Sequence, residues 1–348
     1  MIELNKLKQW EYWPSWVFYA PLIPYLIFKV LKSGAPYTRS LDINSMMPFS
    51  GLGGESKFDT LRQLPSHLVP ESVRIDLSAT TTEIQFEIEN LGFPIILKPD
   101  VGFRGYGVYK IDSKEELINK IKELKIISKE YRPAQFFIAQ EFIQEKEEYA
   151  VLVYIKDGKT QISSLTQKEF LHLKGNGKDT LEKLIDKHPR AQFYKHKVNI
   201  EKIELSSILA KDELFCFSAI GNHSRGTKFI DLNHEISDDL RNTFSSIVTN
   251  IPGFNYGRFD LKAHSLLAMT QGKFKLMELN GIMGEPAHIY DPDKSSYIKA
   301  IYQIKKHWAI IDSIAQQNVR QPQNTLKSLQ QEVKRINIHK KFLEQNLA

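Results

Sequence analysis

The sequence is poor in cysteine and has no long uncharged run. Its 348 residues include one cysteine, Cys216, so neither an internal disulfide nor a cysteine-built zinc site can form. The uncharged run from Tyr12 to Phe28 is shorter than the roughly 20 residues that a membrane-spanning helix needs, and prolines interrupt it. The P-loop spacing GxxxxGK[ST] is missing as well. These absences favour a folded protein of a reducing compartment, and we expect it in the cytoplasm.

The overall composition is that of a folded protein with a small positive charge. Hydrophobic residues make up 42% and charged residues 25% of the chain. This length is too great for one compact core and predicts two or three packed lobes. The 47 Lys and Arg against 41 Asp and Glu leave a net charge of +6, which is compatible with an anionic surface or ligand. Signatures of nucleic-acid binding and repeats are missing, so no nucleic-acid partner is expected.

The N-terminal region is rich in aromatic residues. The run from Tyr12 to Phe28 contains several Trp and Tyr rings and is flanked by lysines, for example Lys29. Such a segment favours the interface of a membrane, where aromatic rings lie at the depth of the headgroups. It is equally typical of a proline-broken arm that packs on the protein itself. Peripheral membrane contact through residues 10–32 and a self-packed arm therefore both stay open.

From residue 81 the hydrophobic pattern becomes regular and mixes helices with strands. Residues 40–70 are predicted to be loop, including a glycine cluster at 51–54. Helices are predicted at 82–91, 113–129, 180–186, 237–250, 295–317 and 324–347. Strands are predicted at 94–98, 136–142, 149–155, 160–165, 256–263 and 273–280. Because strands and helices do not alternate strictly, the pattern indicates an α+β fold with more than one sheet.

A lysine at the end of a predicted strand precedes a glycine-rich turn. Lys98 closes the apolar segment at 94–98, and the loop from Gly102 to Gly107 follows. Glycines allow backbone N–H groups to approach phosphate oxygens, and the lysine adds a positive charge. The pattern fits a phosphate clamp, although glycine turns between strands are also common for structural reasons alone. Further on, acidic residues at Glu141 and Glu148 fit a nucleoside site or an exposed acidic turn.

Polar residues alternate along the last two predicted strands. Arg258 and Asp260 share one face of their strand, and Glu278 and Asn280 share one face of the next. A short connection around Gly272 predicts antiparallel neighbours, which would bring Asp260, Glu278 and Asn280 together. Two carboxylates and an amide oxygen suit Mg²⁺ that is held jointly with phosphates. A salt-bridged solvent face is the alternative.

In this order, the features along residues 81–318 resemble the ATP-grasp fold, two α/β subdomains that clamp ATP. The likeness is greatest to D-alanine–D-alanine ligases and to the ATP-grasp region of cyanophycin synthetases. Residues 175–181 and 221–226 also look like segments of the latter. The resemblance implies nucleotide contacts by Lys98, Gly102, Arg104, Gly105, Gly107, Glu141, Phe142, Ile143, Gln144 and Glu148. It also implies two Mg²⁺ ions, replaceable by Mn²⁺, on Asp260, Glu278 and Asn280, and a γ-phosphate contact by the catalytic candidates Arg225 or Arg258.

This resemblance implies an ATP-dependent carboxylate–amine ligase that forms an amide through an acyl phosphate. The substrates would be a small-molecule or lipid-linked carboxylate and an amine. The chain departs from the ligase pattern in two places: residues 1–80 replace a Rossmann-like lobe by an aromatic arm and loops, and residues 281–286 replace a Pro-Gly-Met segment. Residues 319–348 are expected to form a C-terminal helix that is separate from residues 81–318. One alternative is a catalytically silent, nucleotide-binding and membrane-associated regulatory protein of the same fold. The other is a different enzyme of this fold, such as a kinase or a carboxylase partner.

Overall fold

The computed structural model describes residues 10–33, 37–103, 105–195, 204–216, 221 and 226–347. The strands are β1 Ser72–Asp76, β2 Ile95–Pro99, β3 Tyr109–Ile111, β4 Phe136–Glu141, β5 Glu147–Lys156, β6 Lys159–Glu169, β7 His172–Lys174, β8 Leu214–Cys216, β9 Lys228–Asp231, β10 Tyr256–Ala263 and β11 Phe274–Asn280. The α-helices are α1 Ser15–Tyr19, α2 Ile23–Ser33, α3 Lys57–Leu61, α4 Thr81–Glu87, α5 Lys114–Ser128, α6 Leu181–Lys187, α7 Asp238–Val248, α8 Leu266–Thr270, α9 Tyr297–Asn318 and α10 Leu326–Asn346. Short 3-10 helices, such as Ala287–Tyr290, lie between them.

The first sheet has the order β1-β4-β2-β3 in the described part of the chain, and its neighbouring strands are antiparallel. Helix α5 covers it with the apolar face that the sequence predicts, Leu117, Ile121 and Leu124. The predicted cap is present, because the Ser113 hydroxyl accepts from the N–H of Glu116. The sheet and its helices thus form the first hydrophobic core.

The first core also draws on residues outside 81–318. Strand β1 pairs with β4, so the sheet takes an edge strand from before residue 81. Leu343 and Leu347, at the end of α10, are buried in the same core. Short β1 alternates weakly in hydrophobicity, which is why the sequence pattern missed it. The C-terminal helix thus packs on the first sheet, and the division of the chain at residues 81 and 318 stays a prediction.

The second sheet, in the order β11-β10-β5-β6-β9, positions the candidate site. All its described neighbours are antiparallel. Residues such as Val151, Phe259 and Leu261 point to one face and pack against Phe244 of α7. The period of two along each strand leaves the polar residues on the opposite face. The connection between β10 and β11 is longer than predicted, since it contains α8, but the two strands are neighbours as expected.

A smaller unit follows β6. Strands β7 and β8 pair, and α6 packs on them with a separate cluster that includes Leu173 and Ile185. The predicted helix at 180–186 is present with Thr180 as its N-cap. Strands β7 to β9 were not predicted, because three or four residues are too few to establish a hydrophobic period.

The aromatic arm packs on the protein with one face and exposes the other. Phe18 and Leu22 are buried against Ala300 and Ile304 of α9. Trp16, in contrast, is 76% exposed. Between residues 10 and 347, no described helix has the length and apolar character needed to span a bilayer. The self-packed interpretation is thus confirmed for one face, and membrane contact by the other face stays a prediction.

Candidate active site

The polar faces of β10 and β11 meet as the sequence predicts. Asp260 lies directly opposite Glu278, and Arg258 lies opposite Asn280. A β-bulge follows Asp260, so the pairing is regular across these four residues and shifts only beyond them. The side chains of Arg258, Asp260, Glu278 and Asn280, which we call the polar face, therefore lie together on one side of the second sheet.

Asp260 is held by two basic side chains. Arg258 forms a two-pronged contact, with Nε donating to Oδ1 at 2.8 Å and Nη2 donating to Oδ2 at 3.1 Å. Lys168 of β6 reaches Asp260 at 3.2 Å and Glu148 at 2.7 Å. Burial acts to raise the pKa of Asp260, but Arg258 and Lys168 outweigh it and hold the pKa below its usual range. Asp260 is thus kept ionised.

Glu278 is paired with a residue that the sequence analysis did not select. Its carboxylate contacts the ammonium group of Lys57 at the start of α3. Burial opposes ionisation of Glu278, yet Lys57 keeps its pKa below the usual range. Lys57 lies in the segment 40–70, which is predicted to be loop. Within this segment the sequence pattern draws attention only to the neighbouring glycines.

Lys57 is fixed to the strand that carries Lys98. Ser56 Oγ and the Phe58 N–H both donate to the Asp100 carboxylate, at 2.8 and 3.0 Å. The N–H of Lys57 donates to the main-chain oxygen of Asp100 at 3.0 Å. These bonds attach α3 to the end of β2, and so two lysines from distant parts of the chain face Glu278 together.

Lys98 lies where the two sheets meet. Its Nζ donates to Gln140 Oε1 at 2.9 Å and to the main-chain oxygen of Met277 at 3.4 Å. The pKa of Lys98 is lowered to about 8, chiefly by burial; Glu278 acts in the opposite direction, and nearby Lys57 contributes to the lowering. A lysine with few anionic contacts in a buried setting is suited to receive an anionic ligand.

The glycine loop is attached at both ends. A Cβ placed on Gly102 would lie 3.5 Å from Lys57 Cε, so the loop begins beside that lysine. At its far end Gly107, with φ of +68°, donates its N–H to Leu347 at 2.9 Å. His339 Nε2 bonds the main-chain oxygen of Val101 at 2.8 Å. Gly105 also lies in this loop, whereas Arg104 is outside the described residues.

The residues Glu141 to Gln144 join β4 of the first sheet to β5 of the second. Glu141 and Gln144 are exposed and Ile143 is buried. The ring of Phe142 has Lys110 and Lys262 at 5.3 and 5.4 Å from its centroid. This segment, which we call the hinge, connects the two sheets. Its contact with the adenine base stays a prediction.

Glu148, the predicted ribose contact, lies in a buried setting and not in the exposed acidic turn that was the alternative. Its carboxylate is buried and bonded to Lys168, and burial raises its pKa despite that lysine. A Cβ on Gly221 would lie 2.3 Å from its Oε1, so the backbone at 221 covers it. The predicted γ-phosphate ligand Arg225, with the rest of 222–225, is outside the described residues.

The polar face carries oxygen donors that could hold a metal ion. No group of three or more His, Cys, Asp or Glu side chains is arranged around a metal site in the described part of the chain. The face instead offers two carboxylates and Asn280, whose amide nitrogen is buried and has no partner among the described residues. An ion that takes its remaining oxygens from phosphates fits this donor set, because Mg²⁺ is bound by few carboxylates in nucleotide sites.

One part of the chain matches a known protein family. Residues 91–182 match the family model described as the ATP-grasp domain. No curated protein matches the chain.

Similar solved structures include D-alanine–D-alanine ligase from Bacillus anthracis, at 15% identity and a TM-score of 0.42, covering 75% of this chain and 67% of that one. A bifunctional glutathione synthetase from Pasteurella multocida has 15% identity and a TM-score of 0.38, covering 73% and 35%. Carboxyaminoimidazole ribonucleotide synthase from Aspergillus clavatus, complexed with ATP, has 13% identity and a TM-score of 0.37, covering 66% and 44%. The chain thus spans 35% to 67% of the length of these three.

The matched segment contains Lys98, the glycine loop, the hinge and Glu148, and the second sheet continues it with the polar face. The chain is therefore an α+β protein in which residues 91–182 are similar to the ATP-grasp domain family.

Proposed function

We propose that this protein is an ATP-dependent, ADP-forming carboxylate–amine ligase that works through an acyl phosphate. The observation that carries the proposal is the convergence of Lys57, Lys98 and Arg258 with Asp260 and Glu278 where the two sheets meet. Buried and half-buried cations beside two ionised carboxylates suit a nucleoside triphosphate with its metal ions. The substrates are a small-molecule or lipid-linked carboxylate and an amine.

In this proposal the chain binds the phosphates from two sides. Lys98 and Lys57 approach from the first unit, and Arg258 from the second sheet. Arg258 stays charged and correctly oriented because Asp260 holds its guanidinium. It can steady the γ-phosphoryl group as the substrate carboxylate attacks phosphorus and ADP departs. Arg225 is the other candidate for this contact.

Asp260, Glu278 and Asn280 are the proposed ligands of two Mg²⁺ ions, for which Mn²⁺ can substitute. When bound, these ions would neutralise phosphate charge and align the reacting oxygens. Ligation would require Glu278 to leave Lys57, which would then bond to phosphate. We further propose that Glu141 to Gln144 contact the base and that Glu148 contacts the ribose. The glycine loop would exclude water from the acyl phosphate.

A phosphate-release screen tests the function. Purified full-length protein is incubated with Mg·ATP and mixtures of amino acids, polyamines and amino lipids, and ADP, phosphate and amide are measured. The proposal predicts that the three products appear in equal amounts for a matching carboxylate and amine. Phosphate bound to an alcohol product would favour a kinase, and nucleotide binding without turnover would favour a regulatory protein.

We also propose peripheral contact with a membrane on its cytoplasmic side, through the arm. The outward side chains Trp16, Ile23 and Ile27 are more than half exposed. Lys29 and Lys305 lie beside them, at the ring of Tyr25. Exposed aromatic and aliphatic groups next to lysines suit an anionic lipid surface.

A further inference from the structure

The loop after β11 carries a carboxylate, Glu285, whose setting differs from that of its neighbours. Tyr290 Oη donates to its Oε2 at 2.7 Å. Arg258 Nη1 donates to the main-chain oxygen of the same residue at 3.3 Å, which fixes the backbone beside the polar face. Asp260 and Glu278 each contact a lysine or arginine. No basic side chain contacts the Glu285 carboxylate among the residues that the structure describes.

A half-buried carboxylate without a cation is unfavourable, since less water solvates its charge. Burial accordingly raises the pKa of Glu285, and only the hydrogen bond from Tyr290 opposes that effect. A positively charged ligand would supply the missing partner. The carboxylate is therefore better explained as half of an ion pair than as a contact that stabilises the fold.

The position of Glu285 relates it to the site of reaction. Tyr290, its hydrogen-bond donor, packs with Ala150, and Ala150 is directly opposite Asp260 in the second sheet. The carboxylate thus lies beside the polar face without being one of its candidate metal ligands.

Aromatic rings extend from this carboxylate toward the arm. The ring of Trp10 stacks on that of Tyr290, with centroids 5.5 Å apart, and Phe229 meets Tyr290 edge-on at 6.2 Å. Aromatic faces attract organic cations as well as apolar groups. The arm therefore contributes a wall to this part of the site.

We propose that Glu285, oriented by Tyr290, binds the ammonium group of the amine substrate, and that Trp10 lines the subsite. The inference rests on the proposed ligase function and specifies its acceptor. The ligand class is a primary amine that is protonated in solution and carries an apolar or aromatic body. Negatively charged and neutral acceptors are disfavoured by the same carboxylate.

Equilibrium binding of amines to the full chain tests this subsite separately from catalysis. Benzylamine, 1,4-diaminobutane and phenylalanine methyl ester serve as probes, and benzyl alcohol is the neutral control, with Mg·AMP-PNP present throughout. Glu285→Gln keeps the shape of the side chain and removes its charge. Tyr290→Phe keeps the ring that packs with Trp10 and Phe229. Glu123→Gln, an exposed carboxylate paired with Lys120 on α5, is the matched control.

We expect at least one amine to bind the native protein, and Glu285→Gln to weaken it about tenfold or more. Tyr290→Phe should weaken it less, and Glu123→Gln should have no effect; all variants should retain affinity for Mg·AMP-PNP. The proposal is overturned if no amine binds, if Glu285→Gln binds amines normally, or if both single variants lose nucleotide and amine together. Amine binding without amide formation would instead refute the ligase function, and the assignment of Glu285 as an amine-binding residue would still stand.

Discussion

At the scale of single residues, the two carboxylates of the polar face are held by different partners. Asp260 stays with Arg258 and Lys168, which leave it ionised and fixed. Glu278 has Lys57 as its described basic partner, whereas Asp260 has two. Loss of a candidate metal ligand should therefore affect metal binding more than folding.

Substitution of Glu278 by Gln tests that expectation. The variant should lose at least about a hundredfold in kcat with Mg·ATP, because one charged ligand oxygen is gone from the transition state. Its melting temperature should change only slightly more than that of Glu169→Gln, an exposed control on β6. Normal turnover by Glu278→Gln would remove Glu278 from the metal site.

Residue-scale prediction from the sequence was accurate where spacing along a strand decides position. The period of two placed Arg258 with Asp260 and Glu278 with Asn280, and the register confirms that these pairs face each other. Lys57 could not be found in this way, since it reaches Glu278 from more than two hundred positions away. Glu285 was hidden for a similar reason: its isolation from cations depends on the folded surroundings.

At the scale of elements, long periodic segments were predictable and short ones were not. Helix α5 has its predicted cap and buried face. Strands β1 and β3 have five and three residues and were missed. A strand this short is specified by its partners, such as β4 for β1, because local alternation gives too little information.

The arm is the element whose two faces make different predictions. The paired substitution Trp16→Ser with Ile27→Asp changes only outward side chains, so the contacts of Phe18 and Leu22 should persist. We expect the native protein to float with anionic phosphatidylglycerol vesicles. The double variant should bind them at least about tenfold more weakly, although it keeps the nearby lysines, each of which adds about 1 kcal/mol of attraction to the anionic surface.

Ile126→Asp is the control for this flotation experiment, because Ile126 is equally exposed on α5, away from the arm. It should float like the native protein. If the native protein stays with the soluble fraction, or if the paired arm variant floats as well as the control, membrane contact by this face is refuted.

At the scale of the whole molecule, buried histidines make stability depend on pH. Burial lowers the pKa of His307 to about 3, and its Nδ1 lies 3.0 Å from the Tyr256 hydroxyl. The unfolded chain takes up a proton near pH 6.5, whereas the folded protein does not until a much lower pH. Stability from this residue is therefore full above pH 6.5 and falls as the pH is lowered toward 3.

Urea unfolding at pH 7.5 and pH 5 measures this effect. The native protein should lose up to about 2 kcal/mol through His307 at pH 5. His307→Asn, which keeps a polar group near Tyr256, should show a smaller loss between the two pH values than the native protein. An identical loss in both would mean that His307 does not remain neutral in the folded state.

The central claim concerns the whole site: a carboxylate becomes an acyl phosphate before the amine attacks. The direct measurement uses the carboxylate substrate from the phosphate-release screen, labelled with ¹⁸O in both oxygens, together with Mg·ATP and the amine. Mass spectrometry of the released phosphate then follows the label. The account predicts one ¹⁸O atom in each phosphate formed with an amide, and at least about a hundredfold slower formation of labelled phosphate by Glu278→Gln. Amide formation with unlabelled phosphate, or with label in AMP, would contradict it.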